Sequence, residues 1–219
     1  MFGKNPIRLI EKGDGENLKV QSIFLTFQGE GPYTGFPSVF IRLGGCNLAC
    51  SFCDTEFESF LELSLQNILE TVDNLAKDTK TKLVVITGGE PFRQPIKKLC
   101  ESLLGKGYKI QIESNGTLFQ DIPEKVEVIC SPKISNGKYH KIRPDLEKFI
   151  VGYKFILSDH LKEYSSIPDW NFGNKRIYLQ PMDEVDEAKN LANKKLAMEL
   201  AFKTGYIFSI QLHKILEIE

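Results

Sequence analysis

Short apolar runs rich in valine, isoleucine, phenylalanine and tyrosine recur along the chain, and most end in glycine, proline, serine or asparagine. Runs of this kind predict β-strands. Several are apolar at consecutive positions, as strands buried on both faces of a parallel sheet are. The predicted strands are Val39–Leu43, Leu83–Thr87, Tyr108–Ile112, Val126–Cys130, Tyr153–Leu157, Arg176–Leu179 and Tyr206–Leu212.

Helical periodicity is clear in three places between these strands. Leu65–Ala76 carries its apolar residues on one face and follows Ser64, a residue type that caps helix N-termini. Pro95–Leu104 and Asp186–Lys203 have similar faces, and a glycine follows each. Strands that alternate with helices predict right-handed crossovers and a parallel sheet.

The chain is short for a closed barrel of eight strand–helix units. Its 219 residues fall below the usual size of about 250, and the stretch between Ile112 and Val126 is marginal for a crossover helix. We therefore predict an α/β fold, a partial (incomplete) TIM-like barrel of about six parallel strands with about three helices. Residues 1–219 are expected to form one domain, with 1–20 as an N-terminal extension.

Composition and charge narrow the class of protein. Apolar residues make up 42% of the chain and charged residues 26%, as in soluble globular proteins. A net charge of −1 argues against a nucleic-acid or anionic-membrane partner. We find no run long enough to span a membrane and no signal-peptide core near Met1–Pro6. A cytoplasmic location is the expectation.

Three cysteines, Cys46, Cys50 and Cys53, directly follow the first predicted strand and a Gly-Gly pair. Loops at the carboxyl ends of parallel strands are where such proteins place active sites. A structural zinc ion takes four protein ligands, whereas three thiolates on a four-iron cluster leave one iron open. Zinc completed by Cys100, Cys130 or a histidine remains an alternative.

A second motif, Thr87-Gly88-Gly89-Glu90-Pro91, ends the next predicted strand. Glycines at a strand end allow a ligand to approach the backbone closely. A glutamate there can accept hydrogen bonds from an ammonium group. A tight turn before the following helix would explain the same residues.

The cysteine spacing and the Gly-Gly-Glu-Pro segment resemble the radical S-adenosylmethionine (SAM) superfamily. The resemblance implies a [4Fe–4S] cluster on the three cysteines, with the SAM amino and carboxylate groups on the open iron. One electron from the cluster then cleaves SAM to a 5′-deoxyadenosyl radical, which the protein orients and shields.

Further segments resemble one family within it, the 7-carboxy-7-deazaguanine synthases, and the similarity runs from Ser22 to the C-terminus. These segments are Phe27–Gly31, Phe40–Leu43, Cys53–Thr55, Ser131–Lys133, Gln180–Asp183 and Gln211–Lys214. The resemblance implies a lyase that converts 6-carboxy-5,6,7,8-tetrahydropterin to 7-carboxy-7-deazaguanine with release of ammonia, in queuosine and related deazapurine biosynthesis.

The resemblance also assigns roles to residues of this chain. Cys46, Cys50 and Cys53 are expected to hold the cluster, and Thr55 a Mg²⁺ ion. The expected SAM-binding residues are Phe52, Asp54, Gly89, Glu90, Ser131, Pro132, Lys133, Gln180, Pro181, Met182 and Asp183. The expected substrate-binding residues are Phe27, Gln28, Gly29, Arg42, Thr87, Glu113, His213 and the main-chain carboxylate of Glu219.

Several of these roles have ordinary alternatives. Arg42 lies in an apolar strand and needs a partner, either a substrate carboxylate or an internal salt bridge. The Thr55 hydroxyl suits Mg²⁺, which prefers hard oxygen ligands, but also suits a helix cap. His213 lies in an apolar strand context, next to the predicted strand Tyr206–Leu212, where a structural histidine is equally expected.

The resemblance implies a small-molecule substrate, an external one-electron reductant such as flavodoxin or ferredoxin, and a homodimer. Two alternatives remain at this stage. A glycyl-radical enzyme activase has the same cysteine spacing but acts on a protein. A non-catalytic zinc or iron–sulfur protein would need a fourth protein ligand.

Overall fold

The computed structural model describes residues 5–218 and contains eleven strands and four α-helices in that range. The strands are β1 (Asn17–Phe27), β2 (Pro37–Leu43), β3 (Leu61–Ser64), β4 (Leu83–Gly88), β5 (Lys109–Ser114), β6 (Glu127–Cys130), β7 (Ile134–Ser135), β8 (Lys138–Tyr139), β9 (Ile150–Leu157), β10 (Arg176–Pro181) and β11 (Ile207–Phe208). The helices are α1 (Leu65–Ala76), α2 (Lys97–Gly105), α3 (Glu187–Thr204) and α4 (Leu212–Leu216).

Nine strands form one sheet in the order β11-β10-β9-β6-β5-β4-β2-β1-β3, and β7 pairs with β8 separately. Every neighbouring pair from β2 to β11 is parallel, whereas β1 pairs antiparallel with both β2 and β3. The sheet has two edge strands and does not close. The predicted incomplete barrel with few helices is confirmed.

The structure corrects the prediction at both ends of the chain. Residues 17–20, assigned to an N-terminal extension, belong to β1 and pair with β3. The predicted strand Tyr206–Leu212 is reduced to β11, and α4 follows it. Beyond β11 the Leu212 amide donates to the Gly29 carbonyl oxygen, 3.1 Å away, which ties the start of α4 to the segment after β1.

The three predicted helices are present. The bounds of α1 agree with the prediction, and the Ser64 hydroxyl accepts from the Asn67 amide. A 3₁₀ turn at Pro91–Arg93 delays the start of α2 to Lys97. Asp186 caps α3 rather than lying within it. No helix in the described range 5–218 combines the length and apolar character needed to cross a membrane.

The two faces of the sheet have different chemistry. Successive side chains of a strand point to opposite faces. On β2, Val39, Ile41 and Leu43 are buried in the helix-covered core, whereas Phe40 and Arg42 line a cavity on the other face. The other parallel strands follow the same rule, so their polar residues gather on the cavity face.

Candidate active site

A cavity of about 440 Å³ lies at the carboxyl ends of the parallel strands. The segments that follow β2, β4, β5, β6 and β10 line it, together with side chains from the cavity face of the sheet and from α4. Strand-end loops were the expected location for chemistry in a parallel fold. Residues far apart in the chain thus share one chamber.

The three cysteines of the loop after β2 all line this cavity. Burial raises the pKa of the Cys46 thiol to about 12, and burial also raises the pKa of Cys50 and Cys53. A free thiol is therefore neutral at pH 7, and a bound cation is needed to favour the thiolate.

The donor set fits an iron–sulfur cluster better than a zinc ion. Within residues 5–218, no three His, Cys, Asp or Glu side chains converge on a point where one metal ion could bind. A zinc ion requires such convergence, whereas the thiolates of a four-iron cluster bind different iron atoms. The other two cysteines, Cys100 and Cys130, are buried in the hydrophobic core and serve packing.

Buried polar side chains hold the backbone that leads into the cysteine loop. Arg93 is 1% exposed, and its Nη2 donates to the Gly44 carbonyl oxygen at 2.7 Å. Its Nη1 lies 2.7 Å from the Glu11 carboxylate. The Arg8 amide donates to the Cys46 carbonyl oxygen at 2.7 Å. The N-terminal residues thus help to fix the first cysteine.

The glycines of the Gly-Gly-Glu-Pro motif are required by contact with that loop. A Cβ atom on Gly88 would lie 2.0 Å from the Leu43 carbonyl oxygen, and Gly88 also has a φ of +125°. A Cβ atom on Gly89 would lie 2.0 Å from the Gly45 carbonyl oxygen. We expected these glycines to admit a ligand. Both glycines line the cavity, but both positions are closed to larger residues by the protein itself.

Glu90 is fully buried beneath the cavity wall rather than on it. Its carboxylate accepts from the Ser114 hydroxyl at 2.8 Å and from the Asn115 amide at 2.7 Å, and also from the amide of Phe92 at 3.0 Å. Burial raises its pKa to about 7, against these hydrogen bonds. In this geometry its side chain orients Ser114 and Asn115, which do line the cavity, instead of meeting an ammonium group directly.

On the sheet face of the cavity, Lys154 lies between Glu30 and Glu113. Its Nζ is 2.8 Å from the Glu113 carboxylate and forms an ion pair with Glu30. Burial alone would raise the pKa of Glu30, but the Lys154 ammonium and hydrogen bonds lower it to about 2. Burial alone would lower the pKa of Lys154, and the two carboxylates raise it instead.

Helix α4 forms another wall. The Lys214 Nζ lies 2.6 Å from Asp54 and 2.6 Å from Asp183, so it joins the cysteine loop to the segment after β10. His213 lines the cavity from this helix, not from a strand as predicted. A Cβ atom on Gly29 would lie 2.3 Å from His213 Nδ1, so Gly29 is needed for the approach of α4.

Arg42 lies half-buried on the cavity wall. Its guanidinium carbon is 5.2 Å from the centroid of the Phe24 ring, which in turn stacks on Phe40. Thr55 is also on the wall, and its hydroxyl donates to the Asp54 carboxylate at 3.3 Å.

Most of the predicted site residues share this cavity. Those that line it are Phe27, Gln28, Arg42, Cys46, Cys50, Phe52, Cys53, Asp54, Thr55, Thr87, Gly89, Glu113, Ser131, Lys133, Gln180, Pro181, Met182, Asp183 and His213. Gly29, Glu90 and Pro132 are not on its wall. Glu219 lies outside the described residues.

Sequence reasoning missed several charged or amide side chains on the wall, and four of them are Glu30, Lys154, Gln211 and Lys214. Three of them lie in segments quoted for the family resemblance, but no role was assigned to them. Lys154 had a physical signal of its own, because a lysine inside an apolar strand is rarely buried without an acidic partner.

Comparisons with known proteins agree with this geometry. A sequence profile of the Radical SAM superfamily matches residues 40–135. The chain is 52% identical, over its whole length, to the 7-carboxy-7-deazaguanine synthase of Rickettsia prowazekii, of which it covers 96%. The chain belongs to the 7-carboxy-7-deazaguanine synthase family. The Rhodospirillum rubrum synthase is 36% identical, with both chains fully covered.

The crystal structure of QueE from Escherichia coli has the same fold. It superposes with a TM-score of 0.73 at 25% identity and covers 90% of this chain and 95% of its own. Membership confirms the radical SAM assignment and the implied requirement for SAM and a [4Fe–4S] cluster. It does not favour the glycyl-radical activase.

Replacing Gly89 with alanine should prevent cluster binding. The added methyl group meets backbone atoms of Gly45 and Cys46 that cannot move aside cheaply, and overpacking of this kind costs roughly 1–3 kcal/mol. Iron content after anaerobic reconstitution should fall well below that of the native protein. Gly105→Ala is the matched control, because nothing lies within 4 Å of its Cβ position. Native iron content in Gly89→Ala would contradict this account.

Glu90→Gln should change how stability depends on pH. The folded protein keeps a proton on Glu90 up to a pKa of about 7, whereas the ordinary value is 4.5. The native state therefore binds more protons than the unfolded chain between these values, and its stability falls as pH rises through them. Urea unfolding of cluster-free protein should show the variant gaining relative stability from about pH 5 to pH 8.

The exposed Glu101, changed to glutamine, controls for the loss of one negative charge. A difference in unfolding free energy between Glu90→Gln and the native protein that is the same at every pH would show that Glu90 does not titrate in this window.

Proposed function

We propose that this cavity converts 6-carboxy-5,6,7,8-tetrahydropterin to 7-carboxy-7-deazaguanine with release of ammonia, in the synthesis of queuosine or a related 7-deazapurine. The observation that carries the proposal is one chamber with two chemically distinct walls. One wall holds the cysteine triad, and the other holds Arg42 with the Glu30–Lys154–Glu113 group. Membership of the family supports the same reaction.

On the cysteine wall, Cys46, Cys50 and Cys53 would hold the cluster. When bound, the cluster and SAM supply a carbon radical, and the protein's own residues have other tasks. The Gly89 backbone and the segments 131–133 and 180–183 would bind SAM. Lys133 is held there by the Ser131 carbonyl and hydroxyl oxygens, each 2.7 Å from its Nζ.

On the opposite wall, the side chains match the polar groups of a carboxylated pterin. Arg42 can bind the substrate carboxylate with two parallel hydrogen bonds. Its contact with the Phe24 ring limits the guanidinium's freedom before the substrate arrives. Glu30 and Glu113 offer acceptors to ring N–H groups, and Thr87, Gln28 and His213 complete the wall.

Four further features belong to the same proposal. The Thr55 hydroxyl, beside Asp54 on the wall, is the proposed protein ligand for Mg²⁺. A flavodoxin or ferredoxin is the proposed electron donor. The proposed working state is a homodimer of single-domain chains, and the proposed location is the cytoplasm. The first three rest on resemblance to the family.

The deciding experiment is turnover by anaerobically reconstituted protein. With carboxytetrahydropterin, SAM, Mg²⁺ and a one-electron reductant, it should release 7-carboxy-7-deazaguanine and ammonia. SAM cleavage without deazaguanine would mean that the radical centre acts on another substrate. Failure to bind iron would rule out the radical SAM mechanism.

Arg42→Ala should weaken substrate binding without disturbing the radical centre. Loss of a charge-assisted pair to a carboxylate should raise KM by roughly tenfold or more. Iron content and SAM cleavage without pterin should stay near native levels. Arg143→Ala removes an exposed arginine paired with Asp145 and serves as the matched control. Loss of iron in Arg42→Ala would instead assign Arg42 a structural role.

A further inference from the structure

The Glu30–Lys154–Glu113 group is a closed ring of hydrogen bonds. Lys154 Nζ donates to both carboxylates. Gln28 Nε2 donates to Glu113 at 3.0 Å, and Gln28 Oε1 accepts from the Glu30 amide at 3.0 Å. The ring ties the end of β1 to β5 and β9, which are not neighbours in the sheet. Exposure of the three charged side chains is only 6 to 17%.

Two carboxylates this deeply buried require a cation between them. Burial penalises each charge, and two like charges at one site further disfavour ionisation of both. Lys154 supplies that cation from a strand whose neighbouring residues, Tyr153 and Phe155, are apolar. Gln180 and Gln211 add amide donors to Glu30 at 3.2 and 2.9 Å. The group as a whole carries one net negative charge.

An unused acceptor lies beside the ring. Gln180 is 3% exposed, and its amide nitrogen is committed to Glu30, which fixes the orientation of its amide group. Its Oε1 has no hydrogen-bond partner among residues 5–218. A buried acceptor without a partner is costly and indicates a donor that arrives with a ligand. Together with Glu30 and Glu113, it makes this end of the cavity a surface of acceptors.

We propose that Lys154 is a positioning residue that holds Glu30 and Glu113 side by side as acceptors for the N–H edge of the substrate ring. Gln180 Oε1 is a further acceptor for that edge, a role different from the SAM contact expected of its segment. The inference rests on the proposed function and deepens it. It assigns recognition of the nitrogen donors of the substrate to the Glu30–Lys154–Glu113 group, separately from recognition of the substrate carboxylate by Arg42.

The decisive variant is Lys154→Met, which keeps most of the length of the side chain and removes its charge. KM for the pterin should rise roughly tenfold or more, since truncating one partner of a buried charge pair is costly. The kcat should change less, because the cysteine wall is untouched. SAM cleavage without pterin should remain near the native level. Lys97→Met, which breaks an exposed pair with Asp121, is the matched control.

A second substitution separates charge balance from simple damage. In Glu30→Gln/Lys154→Met the group again carries one net negative charge, so part of the lost affinity should return relative to Lys154→Met alone. All variants are compared over a range of pH, because burial and the Lys154 charge both lower the pKa of the nearby Lys133 and His213. A pteridine with oxygen in place of the exocyclic amino group should compete poorly with the substrate for binding to the native protein. Lys154→Met should discriminate less between this analogue and the substrate.

Each outcome has a distinct meaning. Native KM in Lys154→Met, or a double variant weaker than the single one, overturns the role of Lys154 and leaves the proposed function intact. Loss of pterin-independent SAM cleavage in Lys154→Met would make the lysine a general structural residue and also overturn the inference. If the native protein makes no deazaguanine, the proposed function fails and takes this inference with it.

Discussion

The site depends on a direct contact between two backbone segments, with no side chain between them. Past the end of the β2–β4 ladder, the Gly89 amide donates to the Leu43 carbonyl oxygen at 3.1 Å. The Glu90 amide then donates to the Gly45 carbonyl oxygen at 3.0 Å. Glycine is required because any Cβ atom at Gly88 or Gly89 would overlap that backbone. This contact sets the direction in which the cysteine loop leaves the sheet.

The segment after β4 also fixes the next loop, which follows β5. Glu90 holds Ser114 and Asn115 through hydrogen bonds to its carboxylate. Asn115 Nδ2 then donates to Asn47 Oδ1 at 3.0 Å, and Asn47 directly follows Cys46. The segments after β2, β4 and β5 therefore form one hydrogen-bonded circuit around the first cysteine. A loop that would be mobile by itself is fixed by two others.

Opposite the cysteines, the cavity face of the sheet carries the charged side chains Glu30, Glu113 and Lys154, whose burial would be unfavourable without partners. They are tolerated because acid and base come from strands that meet only in the folded sheet, and amide groups satisfy their remaining acceptors. The helix-covered face instead consists of aliphatic and aromatic side chains packed against one another. One face of the sheet packs against the helices and the other lines the cavity, so the sheet is a rigid support for a polar chamber.

Local patterns determined much of this protein. The periodicity of α1, the apolar strands and the cysteine spacing each arise from residues within about a dozen positions, and such signals survive in a linear sequence. Only the tertiary structure decided the partners of Lys154 and Lys214, the burial of Glu90 and the turn of α4 across the sheet. Lys154 and Glu30 are 124 residues apart, and no local period relates them. Their pairing exists because the strand order brings them to the same face.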